Sequence, residues 1–264
     1  MLIKITSSDN SRLKLIRKLG TRKGRSEEAL FVVEGKNLIT EIIDKGIDVR
    51  FILIPEDAGD AGSELIHRCI ESPDITVCSV ASGEFEKLTD AANGIGMLAV
   101  VKMPAYGTDI IERLRPEDNV LVLDRIQDPG NMGTLIRTAA AAGYKAVIAM
   151  KGTADVYSPK VLRATAGMIF EIPVIYMSSY KELRNLLSGN SKKIAVTVVD
   201  NGTMYYEADL SKGTALVIGN EGNGISDEMA EIADIKVTLP MKGNVESLNA
   251  AVAAAILMYE SVRR

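Results

Sequence analysis

Three short segments in the second half of the chain combine glycines with polar side chains of the kinds that bind small ligands and anions. They are Asp128-Pro129-Gly130-Asn131-Met132-Gly133 with Arg137, Gly219-Asn220-Glu221-Gly222-Asn223-Gly224-Ile225, and Leu239-Pro240-Met241-Lys242-Gly243 with Glu246-Ser247-Leu248-Asn249. Each segment joins the end of a predicted strand to the start of a predicted helix. Because α/β sheets bind ligands at such junctions, three of them in one stretch of chain predict one composite site.

The first two segments suit an anion and a closely held ligand. Asn131 and Arg137 bracket the start of a predicted helix, and a helix N-terminus with a guanidinium group is a strong phosphate clamp. Gly219 and Gly224 allow the backbone to approach a ligand closely. Glu221 stands among glycines and is predicted to point into the site. The alternatives are an exposed helical arginine for Arg137 and a tight turn for the glycine segment.

The third segment is predicted to form a rigid apolar floor with free backbone groups. Pro240 fixes φ and lacks an N–H, so a loop is expected there and not a central strand. Ser247 is predicted to cap a closing helix over residues 247–262. Asn249 would then lie in the first turn, where asparagine is a mediocre helix former, so a further role is expected for it.

Two domains are predicted to position these segments. Helix and strand patterns alternate along residues 1–102, beginning with a helix over residues 10–19 and a strand over residues 30–33, and predict a small α/β domain. A Pro/Gly break follows, so residues 103–118 are predicted to be a linker to a second domain at residues 119–264. Repeated βα units there predict a mostly parallel sheet covered on both faces.

A basic segment near the N-terminus indicates a nucleic-acid partner. The net charge of the chain is −4, yet residues 10–25 contain seven basic residues and no acidic one. Such a cluster can hold a phosphate backbone on an otherwise acidic protein. The residues predicted to contact the nucleic acid are Arg12, Arg17, Lys18, Arg22, Lys23, Arg25 and Arg137. The alternative is a solvated helix face followed by a mobile loop.

Composition argues against several other classes of protein. No apolar run approaches the ~20 residues of a membrane span, and the N-terminus lacks the features of a signal peptide. Cys69 and Cys78 form no CxxC pair, which favours a reducing cytoplasm. With His67 as the one histidine, a His-ligated metal site is improbable, and no metal is expected.

The three segments together resemble the signature motifs of the SpoU/TrmH family in the SPOUT superfamily. The matching patterns are N-x-G-x-x-x-R, G-x-E-x-x-G-[IM] and [IL]-P-M-x-G-x-x-x-S-L-N, in the family's order and spacing, over roughly residues 118–264. Members of this family are S-adenosyl-L-methionine-dependent RNA 2′-O-ribose methyltransferases. We refer to the segments below as motifs one, two and three.

The resemblance implies roles for individual residues. It implies that S-adenosyl-L-methionine is bound by Thr197, Gly219, Asn220, Glu221, Gly224, Leu239, Pro240, Met241, Ser247 and Leu248. It implies catalytic roles for Asn131, Arg137, Glu221, Ser247 and Asn249. Arg137 is expected either to activate the 2′-OH as a base or to hold the RNA phosphate while water takes the proton.

The resemblance also implies the architecture and assembly. The second domain is expected to be a SPOUT-type α/β domain with a deep trefoil knot, which composition and periodicity alone do not predict. The first resembles the smaller α/β, ribosomal-protein-like RNA-binding domain found in family members that act on ribosomal RNA. The closing helix is rich in alanine, and the resemblance implies a homodimer with sites at the subunit interface.

The leading prediction is therefore a ribose 2′-O-methyltransferase acting on large-subunit (23S) ribosomal RNA. Ribosomal RNA is favoured over transfer RNA because the basic segment belongs to a whole N-terminal domain. A non-catalytic RNA-binding factor with the same fold is a second possibility, against which the full set of catalytic residues counts. An α/β enzyme acting on a nucleotide is a third, and it leaves the basic segment unexplained.

Overall fold

The computed structural model of the protein describes residues 2–57, 63–89, 96–243 and 245–263. The chain forms two compact units. The first comprises Met1–Pro104 with Tyr157–Leu162, and the second comprises Ala105–Val156 with Arg163–Arg264. None of the helices within the described residues is long and apolar enough to cross a membrane.

The first unit is built around a mixed five-stranded sheet. Its elements are β1 (Leu2–Ile5), α1 (Ser11–Leu19), α2 (Arg22–Glu28), β2 (Leu30–Glu34), α3 (Lys36–Asp44), β3 (Val49–Pro55), α4 (Ser63–Glu71), β4 (Val77–Val80), α5 (Ser82–Glu86) and β5 (Leu98–Lys102). The strand order is β1-β4-β3-β5-β2. Strands β1, β4 and β3 run parallel, whereas β5 is antiparallel to both of its neighbours. The predicted small α/β domain is confirmed.

Helix α1 follows the predicted pattern. The Asn10 side chain caps it by accepting a hydrogen bond from the backbone N–H of Arg12, and the apolar residues of one face are buried in the core of the unit. Helix α2 was not predicted, because its sequence contains no apolar residue that would give a helical period. It is capped by the Thr21 hydroxyl, and Gly24 allows close packing, since a Cβ there would lie 2.0 Å from the Lys18 carbonyl oxygen.

The elements of residues 105–263 alternate as predicted. They are α6 (Asp109–Glu112), β6 (Val120–Asp124), α7 (Pro129–Ala141), β7 (Ala146–Met150), α8 (Pro159–Thr165), a 3-10 turn (Met168–Phe170), β8 (Val174–Met177), α9 (Tyr180–Gly189), β9 (Lys193–Thr197), β10 (Thr203–Met204), β11 (Thr214–Gly219), α10 (Asp227–Glu231), β12 (Ile235–Thr238) and α11 (Ala250–Arg263). Short α6 lies inside the predicted linker, and its Ile111 is fully buried in the core of the second unit.

The sheet of the second unit has seven strands in the order β10-β12-β9-β11-β6-β7-β8. Every described pairing in it is parallel, and β6, β7 and β11 are buried along their whole length. This confirms the predicted parallel sheet, because strands covered on both faces are continuously apolar. Parallel strands place their carboxyl ends at one edge, so the motifs that follow β6, β11 and β12 meet there.

The order of the last strands in the sheet differs from their order in the chain. From β11 it passes through α10 to β12 on the far side of β9, and α11 then packs against α7 and β11. The C-terminal helix α11 thus packs back against β11 and α7, which precede β12 in the chain. The trefoil knot, which was inferred from family resemblance, stays a prediction.

Candidate active site

Motif one is fixed at the carboxyl end of β6 by the start of α7. Asp128 caps the helix, and its Oδ1 accepts a hydrogen bond of 2.7 Å from the backbone N–H of Asn131. Pro129 occupies the first helical position, where its fixed φ is favourable and its missing N–H has no cost. Asn131 therefore has a defined place in the first turn of α7.

Glu221 of motif two connects the second motif to the first. Its carboxylate accepts hydrogen bonds from the backbone N–H groups of Gln127 (3.2 Å) and Asp128 (3.1 Å) and from Nδ2 of Asn131 (3.1 Å). Partial burial by itself raises the pKa of Glu221, but these hydrogen bonds outweigh it, and the pKa is lowered overall. A carboxylate held in its charged form is a weak base, which favours a positioning role for Glu221 over proton transfer.

Asn249 connects the third motif to the same network. Its Nδ2 donates a hydrogen bond of 2.8 Å to Oδ1 of Asn131. Its own Oδ1 accepts hydrogen bonds from the backbone N–H groups of Ala251 (3.0 Å) and Val252 (3.2 Å). Asn249, Asn131 and Glu221 thus form one chain of contacts through all three motifs.

The predicted capping role of Ser247 is wrong. Helix α11 begins at Ala250, three residues later than predicted, and Asn249 is the residue whose side chain caps it. Asparagine is among the best capping residues because its side-chain oxygen reaches the first N–H groups. This capping is the further role that the sequence predicts for Asn249. Ser247 is exposed and lines the cavity described below.

The loop of motif two depends on its glycines and on Asn220. A Cβ at Gly219 would lie 2.4 Å from the carbonyl carbon of Gly224, and Gly224 itself has φ of +67°. Asn220 Oδ1 accepts hydrogen bonds of 3.0 Å from the backbone N–H groups of Gly222 and Asn223. The loop is therefore a small, self-bonded turn whose outer backbone surface is open to a ligand.

Gly133 of motif one is required for packing inside the domain. A Cβ at Gly133 would lie 2.2 Å from the Cβ of Ala164. Gly133 is buried in the middle of α7 and has no positive φ. The motif thus requires glycine here for close packing and not for contact with a ligand.

A cavity of about 410 Å³ opens beside these loops. The predicted cofactor residues that line it are Thr197, Gly219, Asn220, Glu221, Gly224, Leu239, Met241, Ser247 and Leu248. Pro240 is exposed and does not line it. Sequence reasoning missed Ile218, Lys236, Ala253 and Leu257. Ala253 and Leu257 stand four residues apart on α11, a spacing that would have indicated one helix face.

The lining of the cavity fits S-adenosyl-L-methionine. The volume lies in the range of about 300–1,000 Å³ typical of small-molecule sites. Ile218, Leu239 and Leu257 give it an apolar wall suited to a flat heterocycle, while the motif-two loop offers backbone polar groups. Lys236 places a basic side chain at the wall, which suits a ligand that carries a carboxylate.

Arg137 lies away from the cavity lining, on the exposed side of α7. Its guanidinium group makes no hydrogen bond or ion pair with any residue that the structure describes. An exposed guanidinium with all its donors available can bind an incoming phosphate. The position suits contact with a macromolecular substrate better than contact with the cofactor.

The basic segment of the first unit is partly neutralised by acidic residues. Arg17 pairs with Glu84 at 3.2 Å, while Lys18 pairs with both Glu27 and Glu28. These acidic residues lie outside residues 10–25 and are supplied by α2 and α5. The fold therefore removes part of the charge that the sequence segment shows.

Two of the arginines predicted to bind RNA are engaged inside the first unit. Arg25 is buried, with 4% of its surface exposed, and donates a hydrogen bond of 2.7 Å to the Leu19 carbonyl oxygen. Its prediction as a phosphate contact is not supported by this position. Arg12 lies over the Phe51 ring at 5.9 Å from the centroid, which leaves the edge of its guanidinium available.

A parallel α/β sheet with a cavity beside the loops at the carboxyl ends of its strands is an arrangement in which such sheets bind nucleotides and related ligands. The family model described as SpoU rRNA Methylase family matches residues 118–259, and the MRM3-like substrate binding domain matches residues 10–99. The chain is 36% identical over 257 residues to the 23S rRNA (guanosine(2553)-2′-O)-methyltransferase RlmP of Bacillus subtilis (strain 168), covering 97% of each protein.

Two solved structures extend the similarity to the whole chain. The SpoU methyltransferase AviRb from Streptomyces viridochromogenes, in complex with the cofactor AdoMet, matches with a TM-score of 0.86 at 30% identity, covering 96% of this chain and 97% of that one. The AdoMet-bound rRNA methyltransferase from Sinorhizobium meliloti matches with a TM-score of 0.86 at 27% identity, covering 99% and 98%. The chain belongs to the SpoU methyltransferase family and is an S-adenosyl-L-methionine-dependent RNA 2′-O-methyltransferase.

Proposed function

We propose that the protein methylates a ribose 2′-OH in large-subunit (23S) ribosomal RNA. The observation that carries this proposal is the Asn249–Asn131–Glu221 network, which brings all three motifs to the rim of one cavity. The substrate class is supported by the substrate-binding domain at residues 10–99 and by a relative, alike over nearly its full length, whose name specifies 23S rRNA.

The two parts of the chain divide the work. Residues 1–102 form the RNA substrate-binding domain and residues 119–264 carry the methyltransferase site, while α6, within residues 103–118, packs into the core of the second unit. A separate recognition domain suits a large folded RNA, because phosphate contacts outside the reaction centre fix the register of the target nucleotide.

The cavity residues hold the cofactor by complementary chemistry. Gly219 and Gly224 line the cavity without side chains, so a ligand can approach the motif-two backbone closely; Leu239 and Leu248 supply the apolar wall, and Lys236 provides a positive charge for a carboxylate. When bound, S-adenosyl-L-methionine supplies an electrophilic methyl group on its sulfonium sulfur. Glu221 and Asn131 keep the rim of the cavity in place, so the pocket is preorganised.

The RNA side of the reaction falls to Arg137, with Asn131, Ser247 and Asn249 at the cavity rim. The new bond joins the ribose 2′-oxygen to the methyl carbon as the carbon–sulfur bond breaks, and the 2′-OH proton must leave. Arg137 either takes this proton or holds the adjacent phosphate while water takes it. The clamp role uses the guanidinium cation, whereas the base role needs the neutral guanidine form, and both need an exposed side chain such as the one that α7 presents.

The active form is a homodimer formed through α11. This helix exposes Val252 (50%), Ile256 (38%) and Tyr259 (51%) at spacings of four and three residues, which makes one apolar stripe. Contiguous exposed apolar surface marks an interaction site. A second copy of the chain is the proposed partner, because most soluble oligomers are twofold homodimers in which the same surface patch of each subunit packs against itself.

The enzyme works in the cytoplasm without a metal ion. Both cysteines, Cys69 and Cys78, are buried free thiols, which suits a reducing compartment. The chemistry proposed for the site needs a preorganised pocket and a positioned hydroxyl, not a Lewis acid.

The test is methyl transfer from isotope-labelled S-adenosyl-L-methionine to unmodified 23S rRNA, 16S rRNA and transfer RNA in the presence of EDTA. We expect label in 23S rRNA alone and no effect of EDTA. Label in transfer RNA would identify a different substrate, and loss of transfer on chelation would contradict the metal-free reaction. Cofactor binding without any transfer would favour a non-catalytic RNA-binding factor.

A further inference from the structure

Arg125, which directly follows β6, has a backbone conformation that arginine rarely adopts. Its φ is +62°, in the left-handed region that favours glycine and tolerates asparagine. Such strain persists only where surrounding contacts enforce it, and it concentrates at functional sites. Arg125 stands three residues before the Asp128 cap of motif one, at the carboxyl edge of the sheet.

The backbone of Arg125 is held from two sides. Its N–H donates a hydrogen bond of 3.2 Å to Oγ1 of Thr153, and its carbonyl oxygen accepts one of 2.9 Å from Nδ2 of Asn220. Asn220 belongs to motif two, so the strained residue is tied directly to the cofactor loop. Gly152 leaves room for the side chain, since a Cβ there would lie 3.1 Å from Cγ of Arg125.

The side chain of Arg125 has unused hydrogen-bonding capacity. Its Nε is buried and has no hydrogen-bond partner among the described residues, and it lies 3.7 Å from a carboxylate oxygen of Asp124. Asp124 is fully buried, and its two oxygens already accept hydrogen bonds from the Tyr180 hydroxyl (2.9 Å) and the Ser226 N–H (2.7 Å). The Arg125 side chain remains 39% exposed.

A guanidinium fork anchored in this way can bind a planar or tetrahedral anion from solvent. The cofactor is not that anion, because Arg125 is not among the residues that line the cavity. The buried Asp124 carboxylate orients the group without saturating its donors. The other anion that the proposed reaction brings to the carboxyl edge of the sheet is the phosphate backbone of the RNA.

We propose that Arg125 is a positioning residue that binds a backbone phosphate next to the target nucleotide. This inference rests on the proposed function. The proposal also explains why arginine occupies a position with a strained backbone. Glycine or asparagine would adopt this conformation more easily, so the side chain of arginine is the reason for its presence.

The test compares Arg125→Gly and Arg125→Asn with a matched control, Lys145→Gln. Both Arg125 substitutions suit a positive φ, so the folded state is preserved. Lys145 is exposed just before β7, at the opposite edge of the sheet, and its substitution removes the same charge. Unfolding temperature, calorimetric S-adenosyl-L-methionine affinity and 23S rRNA affinity at several salt concentrations are measured for each variant.

We expect both Arg125 variants to unfold at or above the wild-type temperature and to bind the cofactor with unchanged affinity. Their RNA affinity should fall by ~10-fold, and the slope of log affinity against log salt should fall by about one, as expected for one lost phosphate contact. Lys145→Gln should change neither RNA quantity. Arg125→Lys, which keeps the charge, should keep the salt slope and recover part of the affinity.

Unchanged RNA affinity in Arg125→Gly would overturn the proposal and leave Arg125 a structural residue. A fall in unfolding temperature together with weaker cofactor binding would overturn it too, because the side chain would then support the fold. Failure of the wild-type protein to bind or methylate 23S rRNA is a separate result, which counts against the proposed function itself.

Discussion

Two functional regions were predicted from short stretches of sequence: the cavity rim of the second unit and the basic segment of the first. They differ in whether the predicted residues contact one another in the structure. At the rim, Asn131 reaches Glu221 and Asn249, which are 90 and 118 residues away in the chain. In the basic segment, Lys18 and Arg17 meet acidic residues that the fold brings to them. Motif residues that are distant in the chain contact one another, whereas basic residues of one segment form ion pairs with acidic residues outside that segment.

The difference has a physical cause. A motif combines residues with distinct geometric demands, such as a glycine without space for a Cβ and a carboxylate that needs several donors. A charge run makes no such demand, because any acidic side chain can pair with it. Spacing and residue type therefore predict a site better than local charge does.

The largest expected effect concerns Arg137, which lies on the exposed side of α7 and makes no hydrogen bond or ion pair with any residue that the structure describes. Arg137→Ala should lower turnover on RNA by at least ~10²-fold, the scale of a lost positioning or proton-transfer group. Cofactor affinity measured by calorimetry should not change, since Arg137 does not line the cavity. Arg113→Ala, at an exposed arginine of the same unit, is the control and should be fully active.

Arg137→Lys separates the two roles of that residue. Lysine keeps the charge but not the planar fork, so a phosphate clamp should retain partial activity with an unaltered pH–rate profile. A shifted profile would indicate the base role. A normal rate for Arg137→Ala would show that the catalytic site is assigned wrongly.

The apolar stripe of α11 gives the next effect. Val252→Glu with Tyr259→Glu places two charges on a face that we propose to be buried between subunits. Like charges at a twofold interface should raise the dimer dissociation constant by at least ~10-fold. Sedimentation of the variant at micromolar concentration should show monomers and the wild type dimers. A wild-type monomer would remove the case for this interface.

Glu221→Gln tests the link between motifs one and two. The amide offers one oxygen and no charge to three N–H donors, so cofactor affinity should fall by ~10-fold. Because the folded-state pKa of Glu221 is lowered from 4.5, the stability that its carboxylate contributes is present above that pH and is lost as the pH falls through the folded value.

Denaturant unfolding at several pH values measures this dependence. The gap in free energy of unfolding between wild type and Glu221→Gln should be full at neutral pH and should shrink at acidic pH. A gap that does not change with pH would mean that the charge of Glu221 contributes nothing.

The smallest effects should come from the basic segment, and they sharpen the contrast with the rim. Arg22→Gln with Lys23→Gln, at two exposed positions, should weaken RNA binding by a few-fold and reduce its salt slope by about two. Arg25→Gln should instead lower the unfolding temperature, since its buried guanidinium bonds to Leu19. Equal losses of RNA affinity for both variants, without destabilisation, would contradict this division.

Much of the architecture could be predicted because the relevant patterns are local. The parallel sheet followed from continuous apolar strands separated by helices, and the carboxyl edge followed from that sheet. Helix α2 and edge strand β1 could not be predicted in this way, since one is polar throughout and the other spans only four residues. Their formation depends on packing against α1 and pairing with β4.

The site was predictable in its residues but not in its connections. Sequence indicated Asn249 and Ser247 together, but which of them caps α11 depends on where the helix starts. Lys236 and Leu257 line the cavity through strand order and helix direction, which no motif encodes. The strained backbone of Arg125 is likewise visible only in three dimensions.

The most direct test of the central claim is to locate the transferred methyl group. Unmodified 23S rRNA is incubated with the enzyme and labelled S-adenosyl-L-methionine. The product is then hydrolysed with alkali, and the fragments are mapped by mass spectrometry. We predict one alkali-resistant linkage, at a single nucleotide, because a 2′-O-methyl group blocks cleavage of the adjacent phosphodiester. A labelled base with a hydrolysable backbone, or label at no defined position, would contradict the account.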